Sequence, residues 1–322
     1  MLDQIKIPIT REFEAFTALF DSSFTSPGDL LLKSVMNHVH KQKGKQIRPI
    51  FTLLAAKLCG DVNENTLRVA AGYETLHTAS LIHDDVVDNT MQRRGQPSTN
   101  ALFDNKTSVL AGDYLLSKAI EFISDTKVPE LFAKLCKLSQ TLAEGELLQL
   151  QHAYTIPTEE EYIEIIKRKT AVLFTVSAES SAMTVNATEH QLNALKRFSD
   201  LMGICFQIKD DIFDYTPNAQ IGKPTLNDIR EGKVTLPLLH ALTQVPTSVS
   251  SSILDKAKNN EFTDEHFYGI GSLVAKHHGI EYAECAIDKY LTQAREALNI
   301  FPETPAKDAI LKLLNYCITR NK

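Results

Sequence analysis

Residues 77–88 read HTASLIHDDVVD, and residues 208–214 read IKDDIFD. Each stretch sets paired aspartates at the end of an apolar segment whose hydrophobic residues recur at three- and four-residue intervals, the spacing of a helix face. At roughly 100° per residue, Asp84 and Asp88 share a face and Asp85 is turned about a quarter of the way round. Asp210 and Asp214 have the same relation, with Asp211 beside them. Carboxylates four apart repel by a few tenths of a kcal/mol when exposed and by more when buried. One such cluster is readily explained as a solvated charged face; two matched copies at the ends of apolar helices call for a cation between them.

Working outward, the same helical spacing governs residues 28–43, 49–59, 64–89, 108–124, 129–153, 159–185, 189–215 and 234–244. Between them fall the breakers: Pro27-Gly28, Gly44, Pro49, Gly60, Gly95 and Pro97, Pro129, Pro157, Pro217, and Gly222 and Pro224. No sustained alternating run of β-branched and aromatic residues occurs, and no Asn-Gly or Asp-Gly lies between such runs. No block repeats with a solenoid period and no low-complexity linker divides the chain. The reading is all-α, with residues 1–322 as one domain. At 43% hydrophobic content, a chain of 322 residues has ample material for a buried core.

A net charge of −6 gives no general electrostatic reason to bind nucleic acid or an anionic membrane, so any polyanionic ligand must be met by a few placed cations. Cys59, Cys136, Cys205, Cys285 and Cys317 are far apart and form no CxxC pair, which argues against a disulfide framework and a thiolate zinc site. A reducing, cytoplasmic location is expected. The N-terminal stretch has no signal-peptide core, and no window approaches the ~20 apolar residues of a spanning helix.

The chemistry follows from the donor types. Hard oxygen ligands without suitably placed His or Cys suit Mg²⁺, which keeps its waters and bridges carboxylates to substrate phosphates. Cations are supplied by Lys45 and Arg48 in GKQIRP, Arg93 and Arg94 in RRG, Lys169 in RKTAV, Lys223 in IGKP and Lys233 in EGKV, more than one phosphate group needs. His77 stands two helical turns before Asp84, on the face of the first cluster, and is read as a hydrogen-bond donor to an anion. Charges of both signs crowd one stretch because the ligand expected there is a metal–anion composite.

In this order, GKQIRP (44–49), HTASLIHDDVVD (77–88), RRG (93–95), GDYLLSKA (112–119), EGELLQL (144–150), KT (169–170), FQIKDDIFD (206–214) and GKPTLNDIREGKVTLP (222–237) resemble the trans-type isoprenyl diphosphate synthases, or polyprenyl synthetases, over essentially the whole chain. The resemblance implies a bundle of long helices around a central cavity, a homodimer, and condensation of isopentenyl diphosphate onto an allylic diphosphate. It implies about three Mg²⁺ ions, ligated by Asp84, Asp88 and Asp210, with Asp85, Asp211 and Asp214 as supporting or water-mediated partners. Arg93, Lys169, Thr170, Gln207, Lys223 and Lys233 would meet the allylic substrate, and Lys45, Arg48, His77 and Arg94 would hold isopentenyl diphosphate. The lid-like segment 215–234 reads Asn227-Asp228 where the family often has two acids, which bears on how the third ion is held.

In such enzymes the residues one turn before the first aspartate set product length. Ala79 and Ser80 are small, so the first stop is missing, and the next candidates are Leu76 and Tyr73. The expectation is a long-chain product, centrally octaprenyl, destined for a quinone side chain, with peripheral membrane contact at product release. The alternatives are a geranylgeranyl or farnesyl synthase, or a subunit of a heteromeric synthase. A terpene cyclase would carry a different second metal motif and no second diphosphate grip; a phosphohydrolase built on His83-Asp84 would need further His ligands and would leave the second cluster unexplained. A non-catalytic subunit would have lost aspartates that are present here.

Overall fold

The structure, a computed structural model, describes residues 1–25, 30–215, 226–259 and 261–320, without the side chain of Asp264. The breakers at Pro27-Gly28, Pro217 and Gly222 to Pro224, and with them Lys223, lie outside the described residues. In chain order the elements are α1 (Leu2–Lys6), α2 (Thr10–Ser22), α3 (Leu30–Lys41), α4 (Ile47–Cys59), α5 (Glu64–Val87), the strands β1 (Gln92–Arg93) and β2 (Gln96–Pro97), α6 (Thr99–Leu102) and α7 (Asn105–Ser124). There follow α8 (Pro129–Gln151), α9 (Glu159–Ile166), a π-helical turn (Lys167–Ala171), α10 (Val172–Thr184), α11 (Glu189–Asp214) and α12 (Asn227–Arg230). The last are α13 (Leu236–Thr243), α14 (Thr247–Lys258), α15 (Asp264–Lys276), α16 (Gly279–Ala297) and α17 (Pro305–Thr319). Short 3₁₀ turns follow α1 and α16.

The chain divides into two compact units, one of residues 1–137, 173–196 and 298–313, the other of residues 138–172, 197–297 and 314–322. In the first, α5 carries the DDVVD aspartates. Asn63 starts it through a reciprocal capping box with Thr66, which satisfies two of the amides a helix N-terminus leaves open. Val69, Tyr73, Leu76, Ala79 and Ile82 are buried, and each large apolar side chain of this kind contributes about 1.5–3 kcal/mol. The approach of α7 depends on two glycines: a Cβ on Gly72 would lie 3.0 Å from Ile123, and one on Gly112 would lie 2.1 Å from His83 Nε2. Tyr73 hydroxyl and Ser180 Oγ, 2.8 Å apart, tie α5 to α10.

After Val87 the helix stops, because Asn89 turns to positive φ, so the helix expected over 64–89 ends slightly early. The hairpin β1–β2 follows, pairing Gln92 with Pro97 and Arg93 with Gln96. Its two loop residues, Arg94 and Gly95, both have positive φ, at 53° and 75°. That is the geometry of a type I′ turn, whose twist suits a two-residue connection. Arg-Gly is not the Asn-Gly or Asp-Gly that signals such a turn, which is why the sequence concealed it.

In the second unit, Thr158 and Glu161 form a capping box at the start of α9. The helical run expected over 159–185 is interrupted by the π turn Lys167–Ala171, which holds one residue more than an α-turn. Two glycines allow neighbours to press on it. A Cβ on Gly203 of α11 would fall 2.4 Å from Ala171 Cα, and one on Gly145 of α8 would fall 2.8 Å from Arg168 Cβ. Farther along, the rings of His240 and Tyr282 stack at 4.0 Å, and the Tyr282 hydroxyl donates to Glu159. Among the described residues, no helix is long and apolar enough to cross a membrane.

Candidate active site

The first aspartate cluster sits where α5 runs out. Asp88 N–H still donates to Asp84 carbonyl at 2.8 Å, so the i, i+4 relation survives the end of the helix. Asp84 is partly buried and Asp88 exposed. Asp85 is 2% exposed, and Arg93 donates to both its oxygens, Nε at 2.9 and 2.8 Å and Nη2 to Oδ1 at 2.6 Å. The nearby opposite charges therefore do neutralise each other in one pair, Asp85 with Arg93, and the hairpin is the device that folds the arginine back. Arg94 goes elsewhere: its Nη1 donates to Gln42 carbonyl at 2.5 Å, and its guanidinium lies so close to Gly44 that a Cβ there would collide with it.

Arg94 faces a narrow pocket with Arg93, Lys43, Gln46, Glu74 and His77 in its wall. Arg48 donates from Nη1 to His77 Nε2 at 3.0 Å. A guanidinium can only donate, so this nitrogen accepts and the ring's other nitrogen is left to carry the proton. Burial first, then Arg48, Arg94 and Arg93, hold His77 well below the usual imidazole range. It is therefore neutral and able to donate through Nδ1. Lys45 is exposed and lies outside the lining of this pocket, where Lys43, not anticipated from the sequence, is found.

Glu74, one turn before His77, was also missed, although its place on the same face was a usable signal. Its Oε2 is buried without a hydrogen-bond partner, and Gln46 Nε2 is a second orphan in the same wall. Burial pushes the Glu74 carboxyl up to about 7 from 4.5, against the pull of Arg48 and Arg94. A carboxyl raised in the folded state contributes stability below about pH 4.5 that is lost as pH rises through about 7. Glu74→Gln removes this titration. The variant gains on the order of 1–2 kcal/mol over the parent between pH 5 and pH 8, read from urea unfolding at the two values.

In the second unit the carboxylates are separated by their partners. Asp211 is 4% exposed; it accepts from Tyr162 hydroxyl at 2.6 Å and from Gln207 Nε2 at 2.7 Å, and Gln207 Oε1 accepts from Thr170 at 2.6 Å. Burial pushes Asp211 up to about 7. Asp214 accepts the backbone N–H groups of Asn227 and Asp228, both at 3.0 Å, and so caps α12. Asp228 is also raised well above the usual range, by burial and by Asp214 and Asp211. Asp210 meets Arg320, whose Nη2 lies 2.6 Å from Oδ1.

Lys169 and Thr170 project from the π turn. Lys169 Nζ is held by Glu146 at 2.7 Å and by Gln149 at 2.9 Å, both from the EGELLQL motif. Lys233 Nζ is 2.5 Å from Glu231. A cavity of about 160 Å³ gathers Lys169, Thr170, Gln207, Asp211, Asp228 and Lys233 in one wall. Neither this cavity nor the pocket beside Arg94 is lined by Tyr73, Leu76, Ala79 or Ser80. Tyr73, Leu76 and Ala79 are buried, and Ser80 Oγ is bonded to His77 carbonyl at 2.9 Å. Gln149 lay within the EGELLQL motif without a role assigned to it, and Tyr162 and Arg320 carried no signal in the sequence beyond being polar.

Among the described residues, no three His, Cys, Asp or Glu side chains converge into a complete metal cage. Asp84, Asp88 and Asp210 still fit Mg²⁺: they are hard oxygen donors that reach solvent, and phosphate and water would supply the ion's other ligands.

A model of the polyprenyl synthetase family matches residues 29–268. The octaprenyl diphosphate synthase of Haemophilus influenzae is 35% identical over 86% of this chain and 85% of its own. A polyprenyl synthase from Caulobacter crescentus, solved in complex with calcium and isoprenyl diphosphate, superimposes with a TM-score of 0.93 at 29% identity, covering 99% of this chain and 98% of that one. A geranylgeranyl pyrophosphate synthase from Bacteroides thetaiotaomicron gives 0.85 at 39% identity, with 99% of both chains covered. The fold is thus all-α and of the isoprenoid synthase type, and the protein is a prenyltransferase. The chain belongs to the polyprenyl synthetase family.

Proposed function

We propose that this enzyme condenses isopentenyl diphosphate head to tail onto an allylic diphosphate, repeatedly, to give a long-chain trans-polyprenyl diphosphate. The observation that carries the reading is duplication: each unit holds its own aspartate cluster together with its own pocket of cations and neutral donors. Two anion grips suit a reaction of two diphosphates better than cyclisation or hydrolysis of one. Arg94, Arg48 and neutral His77 would hold isopentenyl diphosphate, with Lys45 reaching in from the surface. Lys169, Lys233 and Thr170 would hold the allylic diphosphate, and Asp211 would fix Gln207 for the same purpose. Arg93 would serve that substrate from its seat on Asp85.

Asp84, Asp88 and Asp210 are the carboxylates we assign to direct Mg²⁺ ligation, with Asp85, Asp211 and Asp214 supporting them. Bound magnesium would supply charge stabilisation to the leaving diphosphate. The lysines and arginines add to it in a site where preorganised donors count for more than in water. No Ser or Cys nucleophile is required. The test is incubation with Mg²⁺, farnesyl diphosphate and labelled isopentenyl diphosphate, followed by sizing of the dephosphorylated products. A long polyprenol that vanishes with EDTA supports the reading, and no incorporation with any allylic primer sinks it.

For product length we favour the octaprenyl class, on the smallness of Ala79 and Ser80 one turn before Asp84. The similar proteins range from geranylgeranyl to decaprenyl synthases, so the stop is a property to be measured on this chain. Ala79→Phe shortens the main product by several isoprene units; an unchanged length overturns this account of the floor.

A homodimer is proposed from the outer face of α8, where Phe132, Cys136, Ala143, Leu147 and Leu150 are exposed at helical spacing. Sedimentation equilibrium then reads twice the 35.9 kDa chain mass. Cytoplasmic synthesis, with transient membrane contact to deliver a quinone side chain, completes the reading.

A further inference from the structure

Arg320 follows the last residue of α17 and lies across α11. Its backbone N–H donates to Tyr316 carbonyl at 3.0 Å, and its Nε donates to Cys317 carbonyl at 3.0 Å. Its Nη2 reaches Asp210 Oδ1 at 2.6 Å. The guanidinium carbon is 4.0 Å from the ring centre of Phe206 and 5.7 Å from that of Phe213. Phe206, Asp210 and Phe213 stand at i, i+4 and i+7, so one face of α11 presents a carboxylate between two aromatic rings, and the arginine covers all three. The side chain of Arg320 is 11% exposed and that of Asp210 36%.

This pairing has a reason in the charges around it. Asp211 and Asp214 share the last turn of α11 with Asp210, and Asp214 caps the helix that carries Asp228. A cluster of that density needs a positive partner even before substrate arrives, and Arg320 is placed to be one. The arginine is also held by contacts that do not involve Asp210, namely the Cys317 carbonyl and the Phe206 ring. It can therefore let go of the carboxylate without leaving its seat.

We propose that Arg320 is an internal counter-cation of Asp210, and that a divalent ion engages the second cluster by exchange, taking Oδ1 from the guanidinium while the arginine stays over Phe206. The inference rests on the reading of Asp210 as a metal ligand. The guanidinium occupies Oδ1 and, as a cation beside the carboxylate, offsets the charge that would attract a metal ion, so the arginine lowers the cluster's affinity for free metal. In this way it makes the second cluster's loading depend on the extra ligands a diphosphate brings.

The test is titration of the purified, substrate-free enzyme with Mn²⁺ alone, following the free-ion signal by electron paramagnetic resonance. Arg320→Ala binds Mn²⁺ five- to tenfold more tightly than the parent. In an Asp210→Asn background the same substitution changes the affinity less than twofold, because the shared carboxylate is gone. Arg320→Lys keeps the charge but loses the planar fork and the ring stacking, and falls between; it also serves if the alanine variant does not fold. Equal or weaker Mn²⁺ binding by Arg320→Ala overturns the exchange and leaves the arginine as a brace for Asp210. If neither the parent nor Arg320→Ala binds Mn²⁺, the metal reading of Asp210 fails first and the inference falls with it.

Discussion

Asp84→Asn lowers kcat for chain elongation about a thousandfold, on the order of 4 kcal/mol of lost transition-state stabilisation, while the KM for isopentenyl diphosphate changes little. The expectation comes from how the first cluster is divided. Asp85 is buried under Arg93 and has no oxygen left unengaged, whereas Asp84 and Asp88 lie on the common stripe where α5 reaches solvent. Asparagine keeps the size of Asp84 and removes the charge that a cation would need. Asp85→Asn should behave differently, with a loss of stability on the order of 1–3 kcal/mol, because it strips the partner from a half-buried guanidinium. Steady-state kinetics and urea unfolding on both variants separate the two roles. Equal catalytic loss without unfolding in both would erase the distinction.

Gly203→Ala destabilises the second unit by about 3 kcal/mol or more, and Gly203→Val prevents folding. The added methyl of alanine would sit 2.4 Å from Ala171 Cα and 2.6 Å from its Cβ, and neither contact is the movable end of a long side chain. Relief requires α11 to back away from the π turn. That movement would also separate Gln207 from Thr170, now 2.6 Å apart, and loosen the wall of the cavity. Loss of the cooperative unfolding midpoint by several degrees is the direct measure; an alanine variant as stable as the parent would mean that the two segments repack at no cost.

How much of this was legible in advance depends on which interactions are local. The helices that carry both aspartate clusters were readable because apolar spacing and the Gly and Pro breakers between segments are local signals, whereas the caps at Asn63 and Thr158 emerged only in the structure. The cationic residues could be named, but not their neighbours. That Arg93 would fold onto Asp85, that Asp214 would cap α12, or that Lys43 rather than Lys45 would line the pocket follows from chain paths that no local pattern encodes. The hairpin was hidden by an uncommon turn pair. Arg320 was hidden by distance, at a sequence separation of 110 from its carboxylate.

The π turn at Lys167–Ala171 has a bearing on how this gene can vary. It is a phase shift within a continuous helical stretch, so its length matters as well as its composition. Deleting a single residue there would leave a regular helix, yet it would swing Lys169 and Thr170 by about 100° relative to Tyr162 and Ile166. Such a change would be nearly silent in circular dichroism and ruinous at the cavity wall. An insertion or deletion in this segment shifts the helical phase whichever residue it involves, and a reading frame of helical phase is inherited along with the letters.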